Sequence, residues 1–210
     1  QKHCQEKGVP LMPPVNLTDI SVDLDGCRFT YNGLPLRLPL LGEHQLENAS
    51  VALRVIEVLQ NEGFKISGEA IADGLQLTRW PGRLELVSAN PQIVIDSAHN
   101  RGGVEALSRC IDTLFAGRRI TAVMGMMLDK EYEYCIETIS RRCARFIAAV
   151  PTGAPRSLPA RQAAKLAALY CADTEACDTV GEALALALKS LQKDEILLIC
   201  GSVYVAGEAC

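Results

Sequence analysis

The chain has 210 residues, 49% of them apolar and 22% charged. That is enough to bury a core in one large domain or two small ones, and it excludes disordered, collagenous and coiled-coil classes. A net charge of -4, from 21 basic and 25 acidic residues, argues against nucleic acid as a partner. The Arg118-Arg119 and Arg141-Arg142-Arg145 groups read as solvated helix ends or strand flanks, because no aromatic platform accompanies them. The longest mostly apolar run, 196–207, is about a dozen residues where a spanning helix needs roughly 20, so no membrane span is expected. Nine cysteines without a Cys-x-x-Cys pair suit a reducing cytosol and a cytoplasmic protein, most of them acting as small buried hydrophobes. His3, His44 and His99 are too far apart in sequence to suggest a zinc site. Gln1-Lys2-His3-Cys4 opens neither with an initiator methionine nor with a signal pattern, and it reads as the cut end of something longer.

In chain order, the first ~40 residues read as strands. Val22 and Leu24 alternate with acids, Phe29 and Tyr31 alternate again, and Asn32-Gly33 is a type I′ hairpin signal before Leu34, Leu36 and Leu38. A helix is predicted next, with Ala49, Ala52, Val55, Ile56 and Leu59 on one stripe and Gly63 as its stop. Ser67 caps a second, shorter helix through Ile71 and Leu75. Trp80-Pro81-Gly82 then breaks the pattern, which places a domain boundary there, between 1–78 and 79–210.

Beyond it, strands and amphipathic helices alternate. Strands are expected at 84–87, 93–95, 120–124, 146–150, near 176–177 and at 196–200; helices are expected at 103–115, 130–142, 159–170 and 180–191. Short apolar strands between helices indicate α/β architecture, a doubly wound and mostly parallel Rossmann-like sheet, preceded by a smaller hairpin-and-helix unit.

In such sheets ligands bind beyond the carboxyl ends of the strands. Asp96-Ser97-Ala98-His99-Asn100-Arg101-Gly102-Gly103 puts a carboxylate at a strand tip, an imidazole three residues on and a glycine pair at a helix start. It suits a nucleotide or anionic-substrate loop; equally, Asp96 and Asn100 could only cap the helix. Gly201-Ser202-Val203-Tyr204 offers a hydroxyl pair after another strand, or simply a strand end. Asp129-Lys130 follows a third strand, with solvated capping as the plainer reading. Arg83 at the domain junction could reach a ligand in a cleft or be a surface hinge arginine. Asn48, in the first turns of the first long helix, could read an adenine edge through its amide, or be no more than a polar residue at a helix start.

The ordered set of Gly42-Glu43-His44-Gln45-Leu46-Glu47-Asn48, Pro81-Gly82-Arg83-Leu84-Glu85, Asp96-Ser97-Ala98-His99-Asn100, Asp129-Lys130 and Gly201-Ser202-Val203-Tyr204 resembles the folylpolyglutamate synthase family. Its members are often bifunctional with dihydrofolate synthase and belong to the Mur ligase superfamily. The resemblance runs from about Gly33 to Glu208 and departs at Ser97, where glycine is usual. It implies ATP and Mg2+ as cofactors, folate and L-glutamate as substrates, and a monomer. The reaction it implies makes an acyl phosphate on the terminal folyl carboxylate, which the amine of L-glutamate attacks to give an amide. By the same resemblance Asn48 meets adenine, Arg83 the phosphates and Asp96 the ribose hydroxyls. His99 faces the reacting phosphate and the incoming amino acid, and Ser202 and Tyr204 lie on the glutamate side.

A Gly-x-x-x-x-Gly-Lys-Ser/Thr phosphate loop does not occur in these 210 residues. The expectation is therefore the end of a central ATPase domain plus a whole C-terminal ligase domain, with no metal ligands here and no turnover by this chain alone. Two alternatives stand beside it: a peptidoglycan Mur ligase, and a non-catalytic nucleotide-binding module.

Overall fold

The computed structural model describes residues 2–209; Gln1 and Cys210, one of the cysteines read above as buried hydrophobes, lie outside them. The chain divides into two compact units, Gln1–Arg79 and Trp80–Cys210.

The first unit carries α1 (Lys2–Glu6), β1 (Thr18–Asp23), β2 (Gly26–Tyr31), β3 (Leu34–Leu38), α2 (His44–Asn61) and α3 (Gly68–Gln76). The strands form an antiparallel meander in the order β1-β2-β3. Asn32 and Gly33 both take positive φ, 50° and 78°, between the paired Tyr31 and Leu34, as a type I′ turn demands. Alternation buries Cys27, Phe29 and Tyr31 of β2, which cluster with Ala49 and Leu53 of α2 and Ile71 of α3. Ser67 caps α3 by accepting from the Ala70 N–H at 3.1 Å.

Two expectations fail in this unit. Among the described residues, 2–17 hold no strand; Pro10, Pro13 and Pro14 remove the amide donors a ladder would use. On α2 the buried residues are Gln45, Ala49, Ser50 and Leu53, whereas Ala52, Val55 and Leu59 are exposed. The inward stripe runs through the polar Gln45 and Ser50, one step around the helix from the aliphatic positions.

The second unit carries β4 (Glu85–Ala89), β5 (Gln92–Ile95), α4 (Arg101–Leu114), β6 (Arg119–Met124), α5 (Tyr132–Ser140), β7 (Arg145–Ala148), α6 (Ala160–Ala167), β8 (Thr174–Ala176), α7 (Val180–Ser190), β9 (Glu195–Cys200) and α8 (Val203–Ala209). Its six strands run β4-β5-β9-β6-β7-β8. All neighbours are parallel except β4 and β5, so the doubly wound, mostly parallel sheet is borne out. Ile95, Val123, Ile147 and Leu197 cluster with Val180 and Ala183 of α7 and Val205 of α8. The alternate positions Val94, Ala122, Phe146 and Leu198 are equally buried and point to the opposite face, where α4 packs on α5 and α5 on α6.

Arg145, read as a solvated flank, is mostly buried and pairs with Asp173 at 3.7 Å and with Glu175. Arg141 and Arg142 are tied to Glu137 and Asp112, each at 2.8 Å. Among the described residues no helix is long and apolar enough to cross a membrane.

Candidate functional site

The carboxyl ends of β5, β9 and β6 finish level with one another, Ile95 opposite Ile199 and Met124 opposite Cys200. The chain that leaves them is pinned at the same height. The Asp96 N–H donates to the Ile199 carbonyl at 2.9 Å, and the Gly125 N–H to the Cys200 carbonyl at 3.3 Å. Gly201 takes φ +104°, and a Cβ there would stand 2.6 Å from the Gly125 carbonyl oxygen. Only glycine allows the β9 and β6 loops to come this close.

β4 is antiparallel to β5, with Glu85 opposite Ile95. The turn that enters β4 therefore lies at the carboxyl end of β5, beside Asp96. Asp96 is 8% exposed. Its Oδ2 accepts from the Leu84 N–H at 2.8 Å and its Oδ1 from the Ala98 N–H at 2.7 Å. Burial pushes the Asp96 carboxyl above the usual carboxylate range; the Ala98 and Leu84 N–H groups, Arg83 and His99 oppose that shift.

The same turn is held at Gly82, whose carbonyl accepts from the Ser97 N–H at 2.8 Å and whose N–H donates to Glu85 Oε2 at 2.8 Å. Leu84, 1% exposed, has φ +45°, a conformation that a leucine keeps only when its surroundings enforce it. Arg83 projects between these anchors. Its guanidinium lies 5.6 Å from the centre of the Trp80 ring and forms no ion pair among the described residues.

His99 follows two residues after Ser97 and is bonded back to it, Nδ1 to the Ser97 carbonyl at 2.8 Å. A carbonyl can only accept, so Nδ1 carries the proton and a neutral His99 has its lone pair on Nε2. Asn100 caps α4, accepting from the Gly103 N–H at 2.8 Å. Asn100 thus performs the capping work open to it on sequence, whereas Asp96 caps no turn of α4: its oxygens hold the Leu84 and Ala98 N–H groups outside the helix, next to Arg83 and His99.

The two hydroxyls of the last motif diverge. Ser202 is 2% exposed and accepts from the Val205 N–H at 3.2 Å as the start of α8. Tyr204, inside that helix, is 48% exposed. Cys200 is buried at the end of β9, and burial pushes its thiol well above the usual range, which leaves no thiolate for nucleophilic chemistry.

On the β6 side, Asp129 Oδ2 lies 2.9 Å from Arg156 and 3.8 Å from Lys130. Arg156 stands 27 residues from Asp129, so no spacing rule could have joined them. The anchoring at Glu85 and Leu84 is illegible for a related reason: a bond to a backbone N–H leaves no signature in residue type.

Asn48 belongs to the first unit. It is exposed on α2, and its Nδ2 donates to Gln45 Oε1 at 3.0 Å. The Gln45 amide in turn contacts His44 Nε2 at 3.0 Å. Gln45 is buried, so it orients Asn48 and leaves the Oδ1 of Asn48 for another partner. Among the described residues no group of three or more His, Cys, Asp or Glu could hold a metal ion, and no step is assigned to one.

Residues 82–203 match the family model of the Mur ligase glutamate ligase domain. The chain is 32% identical over 187 residues to a folylpolyglutamate synthase of Lacticaseibacillus casei, covering 86% of this chain and 42% of that protein. It is 40% identical over 105 residues to a dihydrofolate synthase/folylpolyglutamate synthase of Bacillus subtilis, covering 50% of this chain and 24% of that protein. The solved structure of Escherichia coli FolC in complex with DHPP and ADP superposes with a TM-score of 0.80 at 26% identity, over 99% of this chain and 48% of that one. The chain spans less than half the length of each of these proteins.

Proposed function

The chain belongs to the Mur ligase family through its glutamate ligase domain, and from that premise we propose that it serves the ATP-dependent addition of L-glutamate to the terminal carboxylate of a folate. In this assignment residues 80–210 act as the ligase domain and residues 1–79 as the end of a central ATPase domain. One observation carries it: an unpaired Arg83, a buried Asp96 and a His99 of fixed tautomer converge on the carboxyl end of β5, the place where α/β sheets take their ligands.

Each group has work suited to its chemistry. The Arg83 guanidinium, a planar fork of donors, grips phosphate oxygens and spreads the charge of the transferring phosphoryl group. The second lone pairs of the Asp96 carboxylate are open to ribose hydroxyls, and the Asn48 amide to adenine. His99 presents Nε2 toward the acyl phosphate and the incoming amine, where an acceptor can take the proton the amine loses as the amide forms. Tyr204 and Ser202 stand at the glutamate side, Ser202 by holding the start of α8 rather than by exposing its hydroxyl. The L. casei and B. subtilis relatives by name, and the E. coli structure by the ADP and DHPP it holds, support nucleotide and folate as the ligands. Magnesium would accompany the nucleotide.

Titration calorimetry with ADP on the intact protein that carries this chain tests the nucleotide half of the proposal. Binding that weakens in Arg83→Ala is expected; equal affinity in the two proteins would contradict it.

A further inference from the structure

The turn that presents Arg83 is fastened by two carboxylates that have different reach. Glu85 Oε2 takes the Gly82 N–H at 2.8 Å, and Asp96 Oδ2 takes the Leu84 N–H at 2.8 Å. Asp96 thereby fixes the Arg83–Leu84 peptide, the Ser97 N–H fixes the Gly82–Arg83 peptide through the Gly82 carbonyl, and Glu85 fixes the Pro81–Gly82 peptide just before them. Leu84 at φ +45° would relax to negative φ in a free turn, which would swing the Arg83 side chain away from the β5 end. Asp96 does a second thing with its other oxygen: Oδ1 holds the Ala98 N–H at 2.7 Å, and the next residue is His99. One carboxylate therefore joins the segment bearing the arginine to the segment bearing the histidine.

The geometry points to Glu85 and Asp96 as a clasp of positioning residues, Glu85 for Arg83 alone and Asp96 for Arg83 and His99 together. The assignment rests on the placement of Arg83 at the phosphates proposed above. Glu85 is the sharper case, since its carboxylate is spent on a backbone N–H and its role is exercised through its neighbour. An amide at position 85 still offers an oxygen to the Gly82 N–H, and a methyl group does not.

The test is a double-mutant cycle on ADP affinity, read by calorimetry on the intact protein that carries this chain, with Arg83→Ala, Glu85→Ala, Glu85→Gln and the Arg83→Ala/Glu85→Ala pair. Glu85→Ala is expected to weaken ADP several-fold, Glu85→Gln to stay within about twofold of wild type, and Glu85→Ala to add nothing once Arg83 is gone. Equal losses in both backgrounds, or no loss from Glu85→Ala, would overturn the clasp. Inorganic tripolyphosphate, which has no ribose, isolates the Asp96 arm. Asp96→Ala, which removes both acceptor oxygens, should weaken its binding as Arg83→Ala does, and unchanged tripolyphosphate affinity would remove Asp96 from the clasp.

Amide hydrogen exchange keeps this separate from the ligase assignment. If the wild type binds neither ADP nor tripolyphosphate, the ligase assignment fails, and the clasp is then judged on the Gly82, Leu84 and Ala98 amides. Protection of Gly82 should fall in Glu85→Ala, and that of Leu84 and Ala98 together in Asp96→Ala, which removes both acceptor oxygens. Amides already unprotected in the wild type, or unaffected by these changes, would overturn it.

Discussion

His99 donates its Nδ1–H to the Ser97 carbonyl at 2.8 Å, and that one bond leaves Nε2 as the ring nitrogen able to accept a proton. An imidazole held this way keeps an acceptor nitrogen, as the proposed part of His99 in proton transfer requires. His99→Ala should lower glutamate-dependent turnover by about 10²–10⁴-fold, the range for a positioned acid or base, with ADP affinity nearly unchanged. Steady-state kinetics beside calorimetry would separate the two, and a loss confined to nucleotide affinity would contradict the role.

Arg83 makes the opposite prediction. Its guanidinium has no ion pair to give up among the described residues, so its donors are available to phosphate. Removing it should cost roughly 1.5–3 kcal/mol of charge-assisted hydrogen bonding, about 10- to 100-fold in ADP affinity. Arg83→Lys should recover only part of this, because an ammonium cannot reproduce the bidentate fork. Full recovery with lysine would show that charge alone is used there.

Gly201 is a packing site with no tolerance. At φ +104°, with Gly125 O 2.6 Å from any added Cβ, Gly201→Ala should destabilise the second unit by roughly 2–4 kcal/mol, through overpacking and backbone strain together. Thermal or urea unfolding would reveal it; unfolding midpoints matching wild type would mean that the β9 and β6 loops are not packed this closely in solution.

Much of this architecture could be read before the structure. The Asn32-Gly33 hairpin, the Ser67 and Asn100 caps and the run of parallel strands all have local causes, and each was found where the residues pointed. The convergence of Arg83 on Asp96 was not legible, because it depends on β4 turning antiparallel against β5 and on backbone amides that every residue possesses. The Asp129 and Arg156 pair joins separate loops and was hidden for the same reason. Ser202 and Tyr204 looked like a pair in sequence, but a helix beginning at Val203 turns one inward and the other outward.

Tyr31 supplies a pH test for the first unit. Burial first, and then the hydrogen bond to Glu57 at 2.6 Å, push its phenol from 10.0 up to about 12. The folded state holds the proton more tightly than the unfolded state. The stabilisation is therefore whole below pH 10 and is lost as pH rises through about 12. Chemical denaturation across that range should show wild type losing stability relative to Tyr31→Phe; parallel curves would mean that the phenol is not buried against Glu57.

The most direct measurement is ADP release by the intact protein that carries this chain, supplied with magnesium ATP, tetrahydrofolate and L-glutamate. Release that needs both folate and L-glutamate, yields one added glutamyl residue per ADP, and collapses in His99→Ala is the expected result. Release that ignores L-glutamate, or that appears only when a muramyl precursor and its amino acid replace folate and glutamate, would contradict the assignment to folate glutamylation.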